Sequence, residues 1–299
     1  MPTPVMAGVD GSAESLAAAE WAAREAVRRE RPLCLLHAWA WHQQRDGEAA
    51  DAVRRTLARR ALRRAEERVR RARPGVRLSE EQVPGPATTA LLEAADRADL
   101  LVLGSRGLSG FTGFLVGSVT LGVVARATCP VVLVRAGEDE QDEHFPAEDG
   151  SACERTRHRD VVLGLDAGDP DDRTIEFAFE AARLRGAVLR VLCAWQPASA
   201  SALGPGDIAL VDEPQQAREW QGYLSAVLQV WRDKYPDVDV LECVPRGRAS
   251  TVLIRAASAA GLLVVGHRLA ERPVGPRTGP VTHAVIHHVG CPVAVVPHA

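Results

Sequence analysis

The sequence predicts an α/β fold made of two tandem, open, five-stranded and mostly parallel sheets flanked by helices. Three observations carry this expectation. The chain has 299 residues, room for two domains of about 150 residues, each large enough to bury its own core. Its motifs occur twice in the same order. Within each copy, short β-branched runs alternate with longer alanine- and arginine-rich segments, the pattern of strand–helix–strand crossovers in a parallel sheet.

The duplication is legible by inspection. Val5-Met-Ala-Gly-Val-Asp10 is echoed by Val161-Val-Leu-Gly-Leu-Asp166, and Leu35-Leu-His-Ala-Trp39 by Val191-Leu-Cys-Ala-Trp195, both at an offset of 166 − 10 = 195 − 39 = 156. Asp99-Leu-Leu-Val-Leu-Gly104 answers Gly261-Leu-Leu-Val-Val-Gly266, and Cys129-Pro-Val-Val-Leu-Val134 answers Cys291-Pro-Val-Ala-Val-Val296, at 266 − 104 = 291 − 129 = 162. The second copy therefore gains six residues between its second and third strands.

In chain order, the first copy reads as strand 5–9, helix 13–30, strand 33–38, helix 48–72, strand 76–83, helix 87–97, strand 99–103, helix 116–127 and strand 131–134. The second reads as strand 161–165, helix 171–185, strand 187–194, helix 212–234, strand 238–244, helix 248–259, strand 261–265, helix 280–289 and strand 292–296. Residues 136–150 are acidic and turn-rich, and predict an exposed linker. The domains are accordingly placed at 1–136 and 159–299, with the linker at 137–158. The duplicated apolar strands at 131–134 and 293–296 need cover or a partner, so the two domains are expected to pack as an internal pseudo-twofold pair. Association of whole chains into a homodimer is left open.

Composition bounds the partners. A net charge of −3 gives no electrostatic reason to expect nucleic acid. The arginines of 54–73 are interleaved with acids and alanines and read as a solvated helix face. No apolar run approaches the ~20 residues that span a bilayer. The opening residues run into a strand without the pattern of a secretion signal, and the expectation is a cytoplasmic protein with no membrane contact. The six cysteines are scattered without metal-ligand spacing. His283, His287 and His288 have no acid or cysteine constellation beside them and read as solvated or core histidines.

The informative segment is Gly104-Ser-Arg-Gly-Leu-Ser-Gly-Phe-Thr-Gly-Phe-Leu-Val-Gly-Ser-Val-Thr120. It leaves an apolar strand and enters a helix, and in open parallel sheets ligands bind beyond the carboxyl ends of strands. Glycines let backbone approach an anion, and a helix N-terminus offers unpaired N–H groups and the positive end of the dipole. Ser118 adds a hydroxyl that would either cap the helix or bond a phosphate oxygen.

The spacing Gly-x2-Gly-x9-Gly-Ser, met by Gly104, Gly107, Gly117 and Ser118, resembles the nucleotide signature of the ATP-binding branch of the universal stress protein family. The resemblance extends to Val9-Asp-Gly-Ser12, Gly85, Ala98-Asp-Leu-Leu-Val-Leu-Gly104 and the terminal Cys-Pro-Val-Val-Leu-Val, and covers the chain as a tandem pair with Rossmann-type architecture. It implies adenosine contacts at Gly8, Val9 and Asp10, backbone contacts to adenine at Ala38, and phosphate contacts at Gly104, Arg106, Gly107, Gly117, Ser118, Val119 and Thr120. The implied ligand is an adenine nucleotide, ATP with or without Mg²⁺. Asp10 has a second reading as the cap of the first helix, and Arg106 as a solvated side chain.

The second copy departs from the signature. Leu269 stands in place of the second glycine and Pro280 in place of the serine. A leucine at a positive-φ position costs roughly 1–2 kcal/mol and would invade phosphate space. Proline removes a hydroxyl and an N–H, although it suits a helix's first turn. The second domain is therefore expected to hold nucleotide weakly or not at all.

Competing motifs fail. No Gly-x-Gly-x-x-Gly follows the first strand, and the sole lysine, Lys234, lies in a predicted helix rather than a Walker loop. Two function classes remain: an ATP-binding stress-response or signalling module with slow or no hydrolysis, and a nucleotide-dependent enzyme, either an ATP hydrolase or a protein autophosphorylated at Ser118 or Thr120.

Overall fold

A computed structural model describes residues 2–39, 48–105, 116–147, 151, 153, 156–166, 168–196, 213–269 and 278–299. The first half runs β1 (Val5–Gly8), α1 (Ala13–Arg28), β2 (Leu33–Trp39), α2 (Glu48–Ala72), β3 (Leu78–Pro84), α3 (Ala87–Ala95), β4 (Leu100–Gly104), α4 (Ser118–Val124) and β5 (Val131–Val134). The second runs β6 (Val161–Gly164), α5 (Asp172–Arg185), β7 (Leu189–Leu192), α6 (Glu213–Lys234), β8 (Val240–Cys243), α7 (Ala249–Ala257), β9 (Leu262–Arg268), α8 (Pro280–His288) and β10 (Val293–His298).

The two five-stranded units anticipated above are both present, and they are continuous. Among the described residues one ten-stranded sheet has the order β3-β2-β1-β4-β5-β10-β9-β6-β7-β8. Every pairing is parallel except the central one, where β5 and β10 run antiparallel with Val132 opposite Ala294. These two residues are repeat equivalents (294 − 132 = 162), so the seam lies on the pseudo-twofold axis relating the halves. Each terminal strand thus covers the edge of the other, which is the fate that such apolar edges require.

Side-chain alternation divides the core into two layers. Val5, Ala7, Leu100 and Val102 meet α1 and α2 on one face, and Met6, Leu101 and Leu103 meet α3 and α4 on the other. The second half repeats this with α5 and α6 on the first face and α7 and α8 on the second. Helix α1 is alanine-rich where it touches the sheet, with Ala18, Ala19, Ala22, Ala23 and Ala26 fully buried, and small side chains bring the helix axis close to the strands. On α2, Ala58, Leu62, Ala65 and Val69 are buried while Arg59, Arg60, Arg63 and Arg64 face water. That periodicity accounts for the arginine-rich run as a solvated face. No helix among the described residues is long and apolar enough to cross a membrane.

The acidic segment between the halves is not simply an exposed linker. Glu143, in a single 3-10 turn, is only 1% exposed. Its carboxylate accepts from Arg24 Nε at 2.8 Å and Arg28 at 2.5 Å. Beside it, Glu25 of α1 accepts from Arg185 of α5 at 2.7 Å and Arg29 at 2.7 Å. Burial pushes both carboxyls up, but the arginines outweigh it and hold each at about 2. The linker therefore enters a buried ionic knot between the first helices of the two halves, where a carboxylate is tolerated because cations surround it.

Candidate functional site

In the first half the strand order reverses between β1 and β4: the chain moves outward from β1 to β2 and β3, then returns to β4 on the other side. A crevice must open at that switch point, beyond the carboxyl ends of the strands. A cavity of about 250 Å³ lies there, lined by Gly8, Val9 and Asp10 after β1, Ala38 on β2, Gly104 ending β4, and Gly117, Ser118, Val119 and Thr120 at the start of α4. The structure thus brings together every predicted site residue that it describes. Arg106 and Gly107 lie outside the described residues.

Each wall has a local cause. Asp10 Oδ1 accepts from the Ser12 N–H at 2.9 Å and the Ser12 hydroxyl at 2.6 Å. Ser12, not Asp10, is the N-cap of α1, accepting from Ser15 N–H; Asp10 orients the cap from two residues upstream. Ser15 Oγ in turn accepts from the Gly11 N–H at 3.1 Å, and Gly11, at φ +88, takes the left-handed bend that this tight β1–α1 loop requires. His37 Nδ1 donates to the Val9 carbonyl at 2.6 Å, which sets the imidazole tautomer, and burial depresses its pKa.

Gly104 answers a packing demand. A Cβ there would lie 2.8 Å from the backbone of Glu14 and Ser15, so only glycine lets α1 pass so close to the end of β4. The Thr120 hydroxyl donates to the Gly104 carbonyl at 3.1 Å, clasping the first turn of α4 to β4. Gly117 is the N-cap at φ −65, an ordinary extended conformation, and no side chain caps α4 among the described residues. The first intrahelical bond is Leu121 N–H to Gly117 O, which leaves the N–H groups of Ser118, Val119 and Thr120 at the helix start outside the intrahelical ladder. Ser118 and Val119 are exposed beside the cavity.

The second half has a corresponding cavity of about 370 Å³, where Gly164, Leu165, Asp166, Ala194, Gly266 and Thr282 take the places of Gly8, Val9, Asp10, Ala38, Gly104 and Thr120. Its Thr282 hydroxyl repeats the clasp, donating to the Gly266 carbonyl at 3.2 Å. Pro280 occupies the first turn of α8 and the helix persists, as expected of proline there. The expectation for Leu269 needs correction. Among described non-glycine residues only Glu30 has a positive φ, and Leu269 instead donates its N–H to the His298 carbonyl at 2.8 Å, prolonging the β9–β10 ladder. It is unstrained, and it does not line the cavity.

The model of the universal stress protein family matches residues 1–135 and 158–297. The chain belongs to the universal stress protein family. A universal stress protein of Mycobacterium tuberculosis is 29% identical over 97% of this chain and 96% of its own length. One from Mycolicibacterium smegmatis is 29% identical over 98% and 96%. Among solved structures, a universal stress protein from Archaeoglobus fulgidus superposes with a TM-score of 0.69 at 17% identity, covering 99% of both chains. Both halves are therefore universal stress protein repeats in tandem.

Some site residues escaped the sequence reading. Leu36, Ala87, Leu91 and Leu103 form the apolar side of the first cavity; nothing distinguishes them from core residues until the sheet order is known. Ser15 had a signal, since it stands three residues after a serine at a helix start, the spacing of a capping interaction. The contact from Val116 N–H to His287 Nδ1, at 3.3 Å between the halves, had none.

Proposed function

We propose that the first half of this universal stress protein binds one adenine nucleotide, ATP with or without Mg²⁺, and acts as a stress-response or signalling module rather than as an efficient enzyme. The observation that carries the reading is the uncapped start of α4, with the backbone donors of Ser118, Val119 and Thr120 beside the cavity that Gly8, Asp10 and Ala38 also line. Backbone N–H groups at a helix start suit phosphate oxygens. The apolar side formed by Leu36, Leu91 and Leu103 suits a base, and Asp10 suits the hydroxyls of a ribose. Among the described residues Asp10 is the one carboxylate lining the cavity, and its Oδ1 is already held by Ser12. That favours retention of the nucleotide over activation of water, so turnover should be slow or absent.

Domain limits at 1–136 and 159–299 and a cytoplasmic setting complete the proposal. Calorimetric titration of the whole chain with ATP, with and without Mg²⁺, tests it. One site per chain is expected, and no heat of binding in folded protein would reject the reading.

A further inference from the structure

We infer that His287 of the second half is a positioning residue for the first cavity: its imidazole fixes the start of α4, and with it the wall formed by Gly117, Ser118, Val119 and Thr120. The effect on ATP rests on the reading proposed above, whereas the effect on α4 does not. Helix α4 has seven residues, too few to hold its own position, since isolated helices shorter than about 12–15 residues are marginal in water. Its start is therefore set by what surrounds it. Two contacts come from its own half: the Gly117 N–H donates to the Ser105 carbonyl at 3.1 Å, and the Thr120 hydroxyl to the Gly104 carbonyl at 3.1 Å. Both tie α4 to the end of β4. A third, among the described residues, comes from the other half. One residue before the N-cap, the Val116 N–H donates to His287 Nδ1 at 3.3 Å, with the two residues 8% and 7% exposed. At that depth water does not readily replace a lost acceptor.

The imidazole is itself held in place. Arg135, the residue after β5, donates from Nε to the Val289 carbonyl at 2.6 Å and from its guanidinium NH2 to the His287 carbonyl at 3.0 Å. The last carbonyls of a helix have no intrahelical donor, and a cation is favourable at that end. His283, one turn earlier on α8, packs its ring 4.4 Å from that of His287. A closed path results: β5 holds the end of α8 through Arg135, α8 presents His287, and His287 holds the residue that leads into α4. The path runs one way. By the repeat offset, Pro297 matches Arg135 (297 − 135 = 162) and Ala125 matches His287 (287 − 125 = 162), and neither side chain has a donor or an acceptor. The second half thus supports the first cavity without these positions returning the same support.

The experiment compares whole chains carrying His287→Leu, which keeps an apolar side chain but no acceptor, and His287→Asn, whose amide oxygen accepts in place of Nδ1. Amide hydrogen exchange over 116–121 is measured without ligand, and ATP affinity by calorimetry. His287→Leu should speed exchange over 116–121 and weaken ATP, each roughly three- to tenfold, with the amides of β1 unchanged. His287→Asn should return both toward the parent chain. Arg135→Met, which leaves the imidazole intact, should also speed exchange over 116–121. Combined with His287→Leu it should add little, because the two residues act along one path. Unchanged exchange in folded His287→Leu, equal impairment in the Leu and Asn chains, or fully additive effects of Arg135→Met would overturn the inference. So would ATP affinity that stays constant while exchange follows the acceptor. A parent chain that takes up no ATP, with exchange still following the acceptor, would reject the first-site proposal and leave the positioning of α4 standing.

Discussion

Arg185 of the second half donates to Glu25 of the first at 2.7 Å, with side chains 2% and 1% exposed. The pair joins α5 to α1 behind the sheet and stands beside the pair of Arg24 with Glu143. A charge so placed is costly to abandon: breaking a buried pair by removing one partner costs about 3–5 kcal/mol. Arg185→Met should destabilise the chain by about that amount, moderated by the Arg29 that also serves Glu25. Adding Glu25→Met should cost less than the sum of the two single changes. Urea denaturation followed by circular dichroism measures this, and additive losses would show that the pair is not coupled.

The same knot predicts acid lability. Glu25 and Glu143 are held at about 2 against an ordinary value of 4.5. The unfolded chain binds protons more readily than the folded one between these values. Their stabilisation is therefore complete above pH 4.5 and is lost as pH falls toward 2. A shift of this size corresponds to about 3 kcal/mol per carboxyl, with the two sharing arginines and so not adding fully. Stability measured at pH 6, 4 and 3 should fall steeply only below 4.5, and a flat profile across that range would contradict the assignment.

Ser118→Pro copies into α4 the residue that starts α8. Since Pro280 is accommodated at the first turn of an intact helix, the fold should survive. The first cavity loses a hydroxyl and an N–H, and one charge-assisted hydrogen bond is worth about 1.5–3 kcal/mol. ATP affinity should drop roughly tenfold to a hundredfold with an unchanged circular dichroism spectrum. Unaltered affinity would mean that the phosphates lie elsewhere.

Thr120→Val keeps side-chain shape but removes the donor to the Gly104 carbonyl, and Thr282→Val does the same for Gly266. Each should cost about 1–3 kcal/mol through a buried acceptor left unsatisfied, seen as a lowered denaturation midpoint. Only Thr120→Val should also weaken ATP. Equal effects of the two changes on ATP binding would argue against a single site in the first half.

How far the sequence carried the reading follows from where the information resides. The β1 run and its Asp10, the Gly104 turn and the Gly117–Ser118 helix start are local patterns, and they meet at one crevice because parallel crossovers put the carboxyl ends of β1 and β4 side by side. Glu143 was misread because an acidic run looks solvated until the cations of α1 are folded against it. Leu269 was misjudged because its conformation depends on His298, a residue of β10 that sequence spacing does not connect to it. The Val116–His287 contact spans the seam, and no periodicity encodes such pairs.

The antiparallel meeting of Val132 with Ala294 has a further consequence. Both residues belong to one polypeptide, so their association is unimolecular and its extent does not vary with dilution. A cell holding very few copies keeps as many joined pairs, in proportion, as one holding thousands. Halves cannot be traded in free exchange between molecules as separate subunits can. A difference acquired by one half is therefore inherited opposite the same companion every time, and the aspartate-lined crevice of one can diverge without diluting the serine-bearing crevice of the other.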